Sequence, residues 1–80
     1  MTKRRVLFTF PPERIKEPVI YTLGCQYRVV TNIRRADVSD DKGWVVLELE
    51  GEDKDIDEGL AWVTSHGVRV DPVGGDVFEG

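Results

Sequence analysis

The sequence predicts an α+β fold: a four-stranded antiparallel sheet with two helices on one face. Three observations carry that expectation. Two segments, Arg5 to Phe10 and Trp44 to Glu50, alternate their side chains with a period of two. A third, Asp53 to His66, repeats Ile56, Leu60 and Val63 at helical spacing. The elements also follow one another as strand, helix, strand, strand, helix, strand, an order that right-handed crossovers close into a single sheet.

The first strand puts Val6, Phe8 and Phe10 on one face, and Pro11-Pro12 ends it because proline has no N–H for a ladder. A short connection, Glu13 to Lys16, leads to Glu17-Pro18. Proline suits the first turn of a helix and an acid suits its amino end, so the first helix is expected from Pro18. Val19, Ile20 and Leu23 form its apolar stripe, and Gly24 weakens it before Gln26. Tyr27 to Val38 reads as the second strand and Asp40-Asp41-Lys42-Gly43 as a hairpin turn. In the third strand Val45, Leu47 and Leu49 face the core, while Trp44, Val46, Glu48 and Glu50 face away. Asp53 is the expected cap of the second helix, and His66-Gly67 its ending. Val68 to Val70 is a last strand. One domain over residues 1–80 is expected, with a core at about 5–73 and a frayed tail over 74–80. The element order βαββαβ is that of the ferredoxin-like split βαβ fold.

The chain has 80 residues, 40% hydrophobic and 32% charged, values of a soluble globular domain. No apolar run approaches the ~18 residues of a membrane span, and Val6 to Phe10 is too short for a signal core, so no membrane insertion and a cytoplasmic setting are expected. Cys25 is the only cysteine, which excludes an internal disulfide and an iron–sulfur cluster held by this chain alone. It reads as a small buried hydrophobe at a helix end, or else as a reactive thiol or the site of an intermolecular disulfide. Net charge is −4, which argues against a dedicated nucleic-acid binder. Residues 1–35 carry eight basic and two acidic groups, and residues 36–80 three and thirteen. Folding is expected to interleave the two sets into a mixed surface.

Asn32 is the only asparagine, and it stands inside a segment that otherwise reads as strand. Its short amide competes with the ladder for backbone hydrogen bonds, so it marks a bulge or bend, or a polar group aimed at something. Thr31-Asn32-Ile33, followed by Ala36 and Val38 and then by a strand framed by Gly43 and Gly51, resembles the NIL domain, named for an Asn-Ile-Leu signature. The resemblance runs from about Val6 to Val73 and includes the Pro-led helix Pro18-Val19-Ile20, the segment Ala61-Trp62-Val63 and the short strand Val68-Arg69-Val70. NIL domains are best known as carboxy-terminal regulatory domains of methionine ABC-transporter ATPases, where the signature asparagine is associated with methionine at a dimeric interface. The resemblance therefore implies a small-molecule ligand, methionine or another sulfur compound, with Asn32, Ile33 and Arg34 as binding residues. This chain has Arg34 where the signature has leucine, and a guanidinium suits a carboxylate, sulfate or phosphate. Other family members are fused to iron–sulfur ferredoxin segments, whose cysteines this chain lacks. It also lacks a phosphate-binding G-x-x-x-x-G-K-[ST] loop, so the resemblance implies no nucleotide hydrolysis.

The bland readings stand beside these. Asn32 also fits a cross-strand hydrogen bond, and Arg34 and Arg35, on opposite faces of a regular strand, fit two solvated edge charges. Leu7, Trp44 and Val46 fall together on the face away from the core, which makes them a candidate homodimer interface; the tail residues Val77 and Phe78 are the other candidates to cover them. His66 reads as electrostatic support for a helix end. The acidic run from Glu48 to Glu58 reads as solvated surface, since no calcium-loop spacing is present. No nucleophile–base pair stands in a recognisable context, and no metal site or cofactor is implied, so a non-catalytic regulatory module is expected, with a protein-interaction adaptor as the alternative.

Overall fold

The computed structural model describes residues 1–15 and 17–73. The order is β1 (Thr2–Phe10), a 3-10 turn (Pro12–Arg14), α1 (Val19–Gln26), β2 (Val30–Val38), β3 (Gly43–Gly51), α2 (Asp53–Ser65) and β4 (Arg69–Pro72). The strands form one antiparallel sheet in the order β2-β3-β1-β4, so β1 and β3 are central and β2 and β4 are edges. This is the expected ferredoxin-like α+β architecture. The expected tail lies outside the described residues, and Val77 and Phe78 with it.

The core is built from one face of the two central strands and the inward stripes of the helices. Val6 and Phe8 from β1 meet Val45, Leu47 and Leu49 from β3; Val19 and Leu23 from α1, and Ile56 and Val63 from α2, close over them. Val29 and Val68, each just before an edge strand, complete it. The burial of β3 alternates along its whole length, because its partners are apolar on one face only. Gly59 is buried in α2 because Leu23 of α1 crosses there; a methyl at Gly59 would stand 2.5 Å from Leu23 Cδ1.

Several expectations are corrected by packing. β2 begins at Val30, not Tyr27: Arg28 turns through a left-handed φ of 54°, and Tyr27 instead stacks its ring 5.9 Å from Trp62. Glu52 occupies the cap position of α2 and Asp53 is the first helical residue. Asp53 and Asp57 turn outward to Arg4, at 3.5 and 2.9 Å. Cys25 is exposed, not buried. It lies two residues after Leu23, about 200° around a helix, which puts it opposite the inward stripe. Gly67, at φ 84°, ends α2 as the sequence predicts.

Candidate functional site

β2 is the exposed edge of the sheet, with Thr31 its only partly covered residue. Asn32 pairs with Glu48 and Ile33 with Leu47, but the next paired residue is Arg35, opposite Val46. Arg34 is thus the extra residue of a β-bulge. Asn32 itself is regularly paired, so it is not the bulge; the irregularity falls two residues downstream, at Arg34.

The bulge changes which side chains share a face. Asn32 stands in line with Glu48 on the face away from the helices, and Ile33 in line with Leu47 on the helix side. Counting on from Ile33, Arg34 falls on the open face, and the extra residue repeats that side at Arg35, in line with Val46. The expectation that Arg34 and Arg35 occupy opposite faces is therefore corrected. The structure brings Asn32, Arg34 and Arg35 to one side of the edge strand and leaves Ile33 on the other. Ile33 remains 54% exposed even there, because α1 reaches β2 only near Thr31, beside Gly24. Asn32 is exposed and makes no side-chain hydrogen bond among the described residues.

The open face carries a second set of predicted residues. Leu7, Trp44 and Val46 lie together with Thr9 and Arg35 around a shallow depression of about 400 Å³. They occupy three strands but only two rows. Arg35, Val46, Leu7 and Asp71 face one another across the sheet, and beside them run Asp37, Trp44, Thr9 and Arg69. A third row, Asn32, Glu48 and Arg5, flanks these, with Arg5 donating to Glu48 at 3.3 Å. Arg69 and Asp71 pair within β4 at 2.9 Å.

A concavity of about 190 Å³ on the helix side went unseen in the sequence; Phe10, Ile15, Pro18, Tyr21 and Val38 are among its walls, with Glu17 at its edge. Glu17 accepts from Arg14 at 2.6 Å. The available signal was Ile15, an apolar residue inside an otherwise charged connection; it packs where a side chain at Gly43 would be. None of Asn32, Ile33 and Arg34 borders this concavity. Across the same helix Tyr21 and Cys25 are neighbours one turn apart. The Tyr21 phenol is held above its ordinary range by a hydrogen bond to the Cys25 side chain, then by charge repulsion with it, then by desolvation. His66 stacks 4.5 Å from Trp62 at the end of α2. Among the described residues no three His, Cys, Asp or Glu side chains gather into a metal-holding group, and no helix is long and apolar enough to cross a membrane.

No curated protein matches the chain. Among solved structures, the C-terminal domain of an ABC transporter ATP-binding protein from Enterococcus faecalis is similar, with a TM-score of 0.77 and 21% sequence identity; the match covers 89% of this chain and 83% of that one. At that identity the likeness is one of fold. The family model of the NIL domain matches residues 4–72, from within β1 to the last residue of β4, and the chain belongs to that family.

Proposed function

We propose that this chain is a non-catalytic regulatory module that binds a small sulfur-containing metabolite, methionine or an anionic relative, and acts as a homodimer through its open sheet face. Asn32 exchanges hydrogen bonds with the polar end of the ligand, and Arg34 pairs with its carboxylate or sulfonate. Ile33, on the far side of the strand, contributes through the conformation it imposes on its neighbours. What carries this reading is the bulge: it interrupts an edge strand beside the signature asparagine and turns a guanidinium to the same side as the amide. Bulges re-aim side chains at sites of function. The dimer is supported by Leu7, Trp44 and Val46 lying together, partly exposed, on a face that neither helix reaches.

The test is a thermal titration. Methionine, homocysteine, cysteine and sulfate at millimolar concentration are added to the wild-type chain and to Asn32→Ala and Arg34→Ala. A ligand that binds the folded state raises the midpoint by linkage, by about 2.7 kcal/mol of stability at a hundred times Kd. Asn32→Ala is expected to lose that rise while leaving the unliganded midpoint in place, since the exposed amide satisfies no buried partner. Loss of the rise with methionine but retention with sulfate would assign the anion contact to Arg34 alone. The second reading, a docking adaptor, is favoured by one observation: β2 is an unpaired edge with Val30, Ile33 and Val38 more than half exposed. It expects no rise with any of the four compounds and a partner protein retained on the wild-type chain.

A further inference from the structure

The charges bordering the open face are arranged with a symmetry that selects how two copies meet. We infer that the open faces of two copies stack about a two-fold axis parallel to the strands, placing β2 of each over β4 of the other. This rests on the homodimer proposed above and adds its geometry.

Such an axis exchanges the two edges of the sheet but keeps every row in its place. In the first row Arg35 then lies over Asp71 of the partner subunit, and Val46 lies over Leu7 of the partner subunit. In the second, Asp37 meets Arg69 of the partner subunit and Trp44 meets Thr9 of the partner subunit. In the third, Glu48 meets Arg5 of the partner subunit. Within these three rows each charge lies over its opposite; Arg34, the extra residue of the bulge, has no counterpart, and at the centre Val46 lies over Leu7 and Trp44 over Thr9.

The edges are suited to this from inside the chain as well. Arg35 and Asp37 make no ion pair among the described residues, and Arg69 and Asp71 already pair with each other, so stacking extends one bridge into a four-charge cluster spanning two rows. Arg35 and Asp71 are three strands apart in one chain, roughly 14 Å, and cannot meet there. A two-fold axis running across the strands would pair Arg35 with Asp37 and Asp71 with Arg69, but it leaves the Arg5 and Glu48 row without a counterpart. Four strands give a face on the order of 500 Å² per copy, about 1,000 Å² in all, which reaches the lower range of specific interfaces. Charge matching of this kind sets orientation more than it adds affinity.

The experiment is complementation in trans, read by sedimentation. Arg35→Asp and Asp71→Arg chains are made separately and each is checked for a wild-type circular dichroism spectrum. Alone, each homodimer carries two like-charge contacts, and its Kd is expected to rise at least about tenfold over wild type. Mixed in equal amounts, every contact is again between opposite charges, and the heterodimer is expected to return to within about threefold of wild type. A mixture that stays monomeric while Arg35→Asp and Asp37→Arg complement each other would overturn the strand-parallel axis in favour of the crosswise one. Dimers insensitive to Trp44→Glu would overturn the face itself, and a wild-type chain monomeric at high micromolar concentration would overturn the homodimer. Should a charge reversal fail to fold, Arg69→Glu with Asp37→Arg tests the neighbouring row in the same way.

Discussion

Gly59 is the residue whose role is least visible without its neighbours. It interrupts a helical pattern, where glycine costs about 1 kcal/mol relative to alanine, and nothing within Asp53–Ser65 explains it. Leu23, from another helix and fully buried, does: it fills the space a side chain would take. Gly59→Ala is therefore expected to destabilise by about 1–3 kcal/mol, against its helix propensity, because Leu23 has no room to retreat. A urea titration with an unchanged slope and a lower midpoint would show it; a gain in stability would mean the helices part easily at that crossing. Asn32 and Cys25 divide the lesson at this scale. The asparagine stood out because a strand position disfavours it, but it pairs regularly with Glu48 and the bulge falls at Arg34. Cys25 was read as buried from its residue type, and the phase of α1, set by Val19 and Leu23, overruled the type.

At the scale of elements, β3 and β2 are a contrast in what a strand reveals about itself. β3 carries its own alternation, because both its neighbours are strands and one face is covered by helices, so its core residues could be read in isolation. Leu47 lies fully buried at its centre, and Leu47→Ala is expected to cost about 2–5 kcal/mol, measured by the shift in denaturant midpoint. A loss under ~0.5 kcal/mol would mean that the face assignment is reversed. β2 has no such cover. Its apolar residues Val30, Ile33 and Val38 are more than half exposed, so burial imposes no pattern on it. Its start is set by the left-handed turn at Arg28 and its bulge by pairing with β3. Both are relations between segments, and a run of residue types does not contain them. The proposed site lies on this strand, and so fold was more legible than function.

At the scale of the whole molecule, the lopsided charge of the sequence is folded into pairs. Arg4 reaches Asp57 and Arg5 reaches Glu48, each joining the basic amino-terminal third to the acidic remainder. An exposed bridge such as Arg4–Asp57 contributes at most about 1 kcal/mol, so its effect is on surface character and not on the fold; Arg5–Glu48 is part-buried. What the pairing leaves over is a sheet face that neither helix covers, with an apolar centre and charged edges. Trp44 is the largest side chain on that face, half-covered by its neighbours and outside the core cluster. Trp44→Glu removes an aromatic of the kind that dominates interface energetics and would place a carboxylate in the centre of the proposed interface. The variant is expected to fold, with its thermal midpoint lowered by less than about 1 kcal/mol of monomer stability, since no core contact is lost. Sedimentation at high micromolar concentration is expected to find it monomeric where the wild-type chain forms the proposed dimer. If Trp44→Glu instead unfolds, Trp44 acts from within the folded chain, and the half-covered face is a second layer of core and not a surface for another copy.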